Sequence, residues 1–320
     1  MITRSSLFFL VLIAVAALLP ASGLAGSAKR PHITGLSHVA LYAHDIAKSR
    51  AFYKDFLGYA EPYSVDNPSG GLRLTWIKIN DLQQIELFPE KEAGSDRLYQ
   101  VALITDDAAA LRDYLAAKGV AVPAKVGKGT IGNLNFSVKD PDGHVIEIVQ
   151  YMPDGWTMKN QGKDLPASRI STRIRHAGVM VKNLDASLKF YRDILGFEEF
   201  WRGSSSGRVL SWVNMKVPDG DEYIELMLYD PASPPTTDRI RTMNHICLEA
   251  DDVAAAGQTL KARPMPTECK VMTEMKTGVN GKRQINCYDP DGTRVEIMEP
   301  DTADGKPVPP STAPPPGGKS

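Results

Sequence analysis

At 320 residues the chain is long enough for two ordinary domains, and a hydrophobic content of 42% supports packed cores. With 37 basic against 38 acidic residues and a net charge of −1, nothing in it attracts nucleic acid or an anionic membrane. Three cysteines are too few for a disulfide framework. Cys269 and Cys287 either pair in an oxidising compartment or stand, with Cys247, as buried thiols.

The first element is a leader. Arg4, the 13 apolar residues Leu7–Leu19, Pro20 and small residues through Ala28 have the pattern of an export signal. The run is too short to span a bilayer as a helix. Residues 1–28 are therefore read as a signal peptide cleaved after Ala25 or Ala28. The mature chain is read as periplasmic or secreted, with no membrane attachment after cleavage. A strand then opens at Gly35 in "GLSHVALYA". Asp45 suits the cap of a following helix, on which Phe52, Phe56 and Leu57 recur at helical spacing, and Gly58 ends it. Strands "LRLTWIKI" and "QQIELF" come next, then "YQVALITDD", the helix "AAALRDYLAAKG", and a final strand delivered by the turn Asp140–Gly143.

From Arg173 the same order returns. "HAGVMV" leads to a helix capped by Asn183, carrying Leu188, Tyr191 and Leu195, and ended by Gly196. "VLSWVNMKV", "YIELML", "NHICLEADD", "VAAAGQTLKAR" and a second turn, Asp289–Gly292, follow. The copies are offset by 138 residues at His38/His176 and by 149 at the two DPDG turns, so they differ by a few loop insertions. The predicted fold class is α+β, with tandem domains at 35–151 and 173–300. Each domain is two βαβββ modules forming a curled mixed sheet, a half-barrel around a cleft. Residues 152–172 read as a polar linker, and 301–320, rich in proline, glycine and serine, as a disordered tail.

Four polar residues per copy interrupt apolar strands at matching places. They are His38, Glu86, Gln100 and Glu147 in the first copy, separated by 48, 14 and 47 residues. In the second they are His176, Glu225, His245 and Glu296, separated by 49, 20 and 51. A carboxylate inside an apolar strand is costly unless paired. Two imidazoles with two carboxylates suit one divalent transition metal, whether zinc, nickel, cobalt, manganese or iron(II). The first copy, with Gln100 in place of a histidine, is a degenerate second site. Strand order leaves two pairings open. Each copy either closes its own cleft, or the modules swap and join His38 and Glu86 to His245 and Glu296. Tyr223 and Met227 alternate with Glu225, as Arg294 does with Glu296, which marks them as substrate-binding residues, with Trp212 closing the wall. A small-molecule substrate is the expected partner, and a homodimer is compatible with the sequence.

The histidine-opened strand, "FYxDxLG", "IEL" and "DPDGxxxEI" together resemble the vicinal oxygen chelate superfamily, which includes glyoxalase I, methylmalonyl-CoA epimerase, extradiol dioxygenases and the bleomycin and fosfomycin resistance proteins. The resemblance implies the tandem fold and a metal at His176, Glu225, His245 and Glu296. It also implies glyoxalase-like lyase or isomerase chemistry, in which the metal is a Lewis acid and Glu225 or Glu296 the catalytic base. Where glyoxalase I binds glutathione through Arg and Asn, this chain has Tyr42 or Met180 and Glu90 or Tyr229, which points away from glutathione. His176, His245 and Glu296 equally match the iron(II) triad of the extradiol dioxygenases. That family's acid–base His between the ligand histidines is absent, and Asn286 replaces its helper Tyr. A non-catalytic binding or resistance protein is the third class the resemblance admits.

Overall fold

The computed structural model describes residues 29–92, 96–269 and 272–317. The export signal read at 1–28 lies outside the described residues. Among these, no helix is long and apolar enough to cross a membrane. The first copy contains β1 (Gly35–Ala43), β2 (Ala60–Asp66), β3 (Leu72–Lys78), β4 (Gln84–Pro89), β5 (Leu98–Ile104), β6 (Gly127–Lys128), β7 (Leu134–Lys139) and β8 (Val145–Gln150). The second contains β9 (Arg173–Val181), β10 (Glu198–Gly203), β11 (Trp212–Lys216), β12 (Tyr223–Leu228), β13 (His245–Glu249), β14 (Lys276–Thr277), β15 (Lys282–Tyr288) and β16 (Arg294–Thr302).

Each copy forms its own eight-stranded sheet, in the orders β2-β3-β4-β1-β5-β8-β7-β6 and β10-β11-β12-β9-β13-β16-β15-β14. Within a module the first and last strands are parallel, and the two modules meet antiparallel at β1/β5 and β9/β13. The four centre strands of each sheet are therefore the ones that bear the four marked residues. The swapped pairing is not formed: all strands of a cleft come from one copy.

The opening helices are capped as their sequences require. Asp45 Oδ1 accepts from the amides of Ala47 and Lys48 at 3.0 and 3.2 Å, and Asn183 Oδ1 from Ala186 at 3.1 Å. Both helices widen into a π-helical turn, Ala51–Phe56 and Lys189–Ile194, which turns adjacent aromatics such as Phe52 and Tyr53 into the core together. Each then reaches across to the other copy. Tyr53 donates its hydroxyl to Asp289 (3.1 Å), and Tyr191 donates to Asp140 (3.0 Å). The first aspartate of each DPDG turn thus has two tasks. It accepts turn amides on Oδ1, and it ties the two domains together on Oδ2.

The two ties differ in charge. Asp289 is pushed up to about 7 by burial and then by Asp291. For Asp140, burial is the largest influence and works upward, but the hydrogen bond and charge of His144 outweigh it and hold the carboxyl below its usual range. A carboxyl raised from 3.8 to about 7 in the folded state favours folding fully below pH 3.8. That contribution is lost as pH rises through the folded value. In Asp289→Asn the side chain keeps an oxygen for the turn and offers an N–H to the Tyr53 oxygen. Denaturant unfolding should show wild type losing stability relative to this variant between pH 4 and 7.5, by on the order of 3–4 kcal/mol. Parallel pH profiles would refute it.

Linker and tail are more structured than their composition suggests. Lys78, buried at the end of β3, donates to the carbonyls of Asn160 and Lys163 at 2.6 and 2.7 Å, and so pins the linker. A helical turn forms at Trp156–Lys159. The tail, expected to be disordered, lies along the edge strand β10. The Ser311 amide donates to the Arg202 carbonyl and the Leu210 amide to the Pro314 carbonyl, both at 2.8 Å. Proline-rich chain has no spare donors to extend a sheet, so it covers that edge without inviting another strand. Cys247, Cys269 and Cys287 are buried free thiols, and the Cys269–Cys287 pair is not made.

Candidate metal centre

In the second copy His176 on β9, Glu225 on β12, His245 on β13 and Glu296 on β16 converge on the concave face, all buried. His176 Nε2 lies 3.0 Å from His245 Nε2, 3.4 Å from Glu296 Oε2 and 4.0 Å from Glu225 Oε2. His245 Nε2 lies 3.5 Å from Glu225 Oε2 and 3.7 Å from Glu296 Oε2. His245 Nδ1 is 2.7 Å from the Met243 carbonyl, which can only accept, so Nδ1 carries the proton and Nε2 presents a lone pair. Burial and then Arg294 push His245 down to about 3, and burial lowers His176. Both imidazoles are therefore neutral. Glu225 is pushed up to about 8 by burial and then by Glu296. For Glu296 burial works upward most strongly, yet the two histidines outweigh it and hold the carboxyl well below its usual range.

Two imidazole nitrogens and two carboxylate oxygens thus share one small space. Protons on His176 and Glu225 bridge some of these contacts, whereas a divalent cation would displace them and meet all four. Separations of 3.0–4.0 Å are the edges of a shell around an ion with bonds of about 2.1 Å. The donor set, two nitrogens and two carboxylate oxygens, suits first-row transition ions.

Sequence reading missed the residue that makes room for this. Gly178 on β9 stands opposite His245. A Cβ there would lie 2.0 Å from His245 Cε1 and 2.1 Å from Nδ1. The signal was present, since a glycine inside an apolar strand often marks a close approach. Its counterpart in the first copy is Ala40, opposite Gln100.

The first copy is built to other requirements. Gln100 Nε2 donates to Glu147 Oε2 at 2.6 Å, and the Trp76 indole donates to Glu86 at 2.6 Å. His38 Nε2 lies 2.9 Å from Glu147 and 3.6 Å from Glu86. Burial works downward most strongly on His38, but Glu86 and Glu147 outweigh it and raise its pKa. Ser37 and Tyr151 hold its other nitrogen in a relay that ends on the Leu82 carbonyl. Both acids are served by protein donors, so this site needs no ion. The partner of Glu225 corresponding to Trp76 is Asn214, whose Oδ1 is buried without a partner.

A cavity of about 210 Å³ opens onto Glu225 and Glu296, walled by Trp201, Trp212, Lys276 and Arg294. Trp212 and Arg294 are where the sequence placed them. Tyr223 and Met227 are not on its wall. Tyr223 is buried and stacks on the His176 ring with centroids 4.4 Å apart, so it orients that ring instead. Met227 is buried opposite Trp212, on the same face as Glu225. Trp201 and Lys276 were not anticipated.

The family model described as "Glyoxalase/Bleomycin resistance protein/Dioxygenase superfamily" matches residues 35–148 and 173–297, the two sheets just described. The chain belongs to this superfamily. Among curated members, mitochondrial methylmalonyl-CoA epimerase of Mus musculus is 29% identical over 136 residues, covering 40% of this chain and 72% of that one. Two solved superfamily structures share the tandem fold. The Mn(II)-bound glyoxalase of Novosphingobium aromaticivorans aligns with a TM-score of 0.63 at 19% identity, over 87% of this chain and 85% of its own. The 2,3-dioxygenase LapB of Pseudomonas sp. KL28 aligns with a TM-score of 0.64 at 18% identity, over 88% and 98%. At that identity the likeness is one of fold.

Proposed function

We propose that this is an exported, metal-dependent member of the superfamily that catalyses glyoxalase-like proton transfer on a small oxygenated substrate, with one divalent transition metal held by His176, Glu225, His245 and Glu296. The observation that carries the proposal is the convergence of four potential ligand atoms, one of them fixed as a lone pair by the Met243 carbonyl. Kinship with an epimerase and likeness to a glyoxalase support the reaction type. Export is proposed on the Arg4 and Leu7–Leu19 pattern alone.

When bound, such an ion supplies a Lewis acid that polarises a substrate oxygen and acidifies the neighbouring carbon. The protein's share is positioning and proton transfer. Both carboxylates border the cavity and approach His245, but Glu225 stands 4.0 Å from His176 against 3.4 Å for Glu296, and is the less tightly engaged of the two. Glu225 is therefore assigned as the base that takes a proton from carbon and returns it. Trp201 and Trp212 narrow the cavity and exclude water. A ring-cleaving reading has the right triad in His176, His245 and Glu296, but this cavity holds no further histidine.

Metal-loaded full-length protein in deuterium oxide should exchange the carbon-bound hydrogen of α-hydroxycarbonyl compounds. Glu225→Gln should lower that rate by about 10²–10⁴ with metal content retained. Oxygen uptake on a catechol without such exchange would replace this reading with ring cleavage. Ligand binding with neither reaction would replace it with sequestration.

A further inference from the structure

Arg294 opens β16 two residues before Glu296, on the same face, and stands opposite His245 in the parallel register. The first copy has Val145 at this place, opposite Gln100. The guanidinium is therefore confined to the copy with the metal-ligand set. Its Nε is buried without a hydrogen-bond partner. Among the described residues no carboxylate lies within 4.0 Å of it. It lines the cavity together with Glu225, Glu296, Trp201, Trp212 and Lys276.

A half-buried guanidinium whose Nε lacks a partner is costly, and Arg cannot shed its proton to escape the cost. Its planar fork matches a carboxylate in bidentate geometry. Arg294 acts on Glu225 and Glu296 through its charge, but neither carboxylate forms an ion pair with its fork. Lys276 adds a second positive charge to the cavity wall. A space of about 210 Å³ is below the range of drug-sized pockets, and two indoles wall it.

We infer that Arg294 is the anchor for a substrate carboxylate, so that the enzyme acts on a small hydroxy or oxo acid whose apolar body lies against Trp201 and Trp212. The carboxylate fills the fork of Arg294, and the hydroxyl or carbonyl oxygen is turned toward the four-residue ligand set. This rests on the metal-centre reading for the second half of that pose, but not for the first. It also accounts for the absence of the glutathione-binding Arg and Asn, since a compact acid needs no extended cofactor groove.

The test uses mandelate and its neutral isostere mandelamide, with binding followed by Trp201 and Trp212 fluorescence and by calorimetry. Both metal-loaded and chelator-treated full-length protein are titrated. Comparing the acid-to-amide preference of wild type with that of Arg294→Gln cancels any preference contributed by the metal itself. Wild type should show a preference at least tenfold greater than Arg294→Gln, with metal content equal in the two proteins. Arg294→Lys should recover part of it. An unchanged preference in Arg294→Gln, or no binding of mandelate by wild type, would overturn the assignment. A preference that persists in the chelated wild type but not in chelated Arg294→Gln sustains the anchor even if the metal reading fails. Tighter competition by inorganic phosphate than by acetate would replace the carboxylate with a phosphate group.

Discussion

Gly178→Ala should empty the metal centre while leaving the first domain untouched. The added methyl would lie 2.0 Å from Cε1 of His245, far inside van der Waals contact. Neither side can yield. Gly178 belongs to the central strand β9, and His245 is tied to the Met243 carbonyl and wholly buried. The ring must rotate out of line or the β9/β13 ladder must part. Overpacking of this kind costs about 1–3 kcal/mol. Displacement of one ligand from the set should weaken metal binding by at least about 100-fold, as seen when ligand orientation alone is lost. Equilibrium dialysis against a chelating buffer would measure the second effect, and denaturant unfolding the first. The reciprocal change is as informative. Gln100→His in the first copy should fail to create a metal site because Ala40 occupies the space, whereas Gln100→His with Ala40→Gly should succeed if Trp76 is also relieved of Glu86. A G178A protein that binds metal as wild type does would show that the His245 position is not required.

His245→Ala should remove the stabilisation that metal confers. An ion bound at 1,000 times its dissociation constant adds about 4 kcal/mol to the folded state. For a chain of this size that is a rise of several degrees in melting temperature on loading. In His245→Ala the same addition should produce no rise. The metal-free variant should itself lose less than an ordinary core truncation of about 2–5 kcal/mol. Removing His245 takes one lone pair from a crowded group of four, which offsets part of the cavity it leaves. Glu225→Gln should fall between, with metal retained at reduced affinity. Scanning calorimetry with and without added zinc, cobalt or manganese would compare the three proteins. Equal rises in wild type and His245→Ala would count against the site.

Much of this was legible in the sequence, for physical reasons. The period-two alternation around His176, Glu225, His245 and Glu296 shows a polar atom on the concave face of each centre strand, and the repeat shows that the pattern occurs twice. Caps at Asp45 and Asn183 and turns at Gly58 and Gly196 are local and were read as such. What escaped the reading was longer in range. Both copies carry His and Glu in their first modules, so strand pairing within a copy could not be told from a swap until the ladders were seen. Tyr53 and Asp289 are 236 residues apart, and nothing local couples them. Met227 and Tyr223 share a face with Glu225, but the curvature of the sheet gives the open cleft to Trp201 and Trp212 and closes over the other two. The tail has the composition of free chain, yet its backbone finds an acceptor at Arg202 on β10 and a donor at Leu210 just before β11.

The asymmetry between the copies is the centre of this account. Trp76 and Gln100 donate to the acids of the first cleft, whereas among the described residues the acids of the second face only its two histidines. Metal content per chain in full-length protein, measured for wild type, His38→Ala and His245→Ala, tests it most directly. The account predicts one equivalent in wild type and in His38→Ala and none in His245→Ala. Metal that survives His245→Ala, or that disappears with His38→Ala in a folded protein, would contradict it.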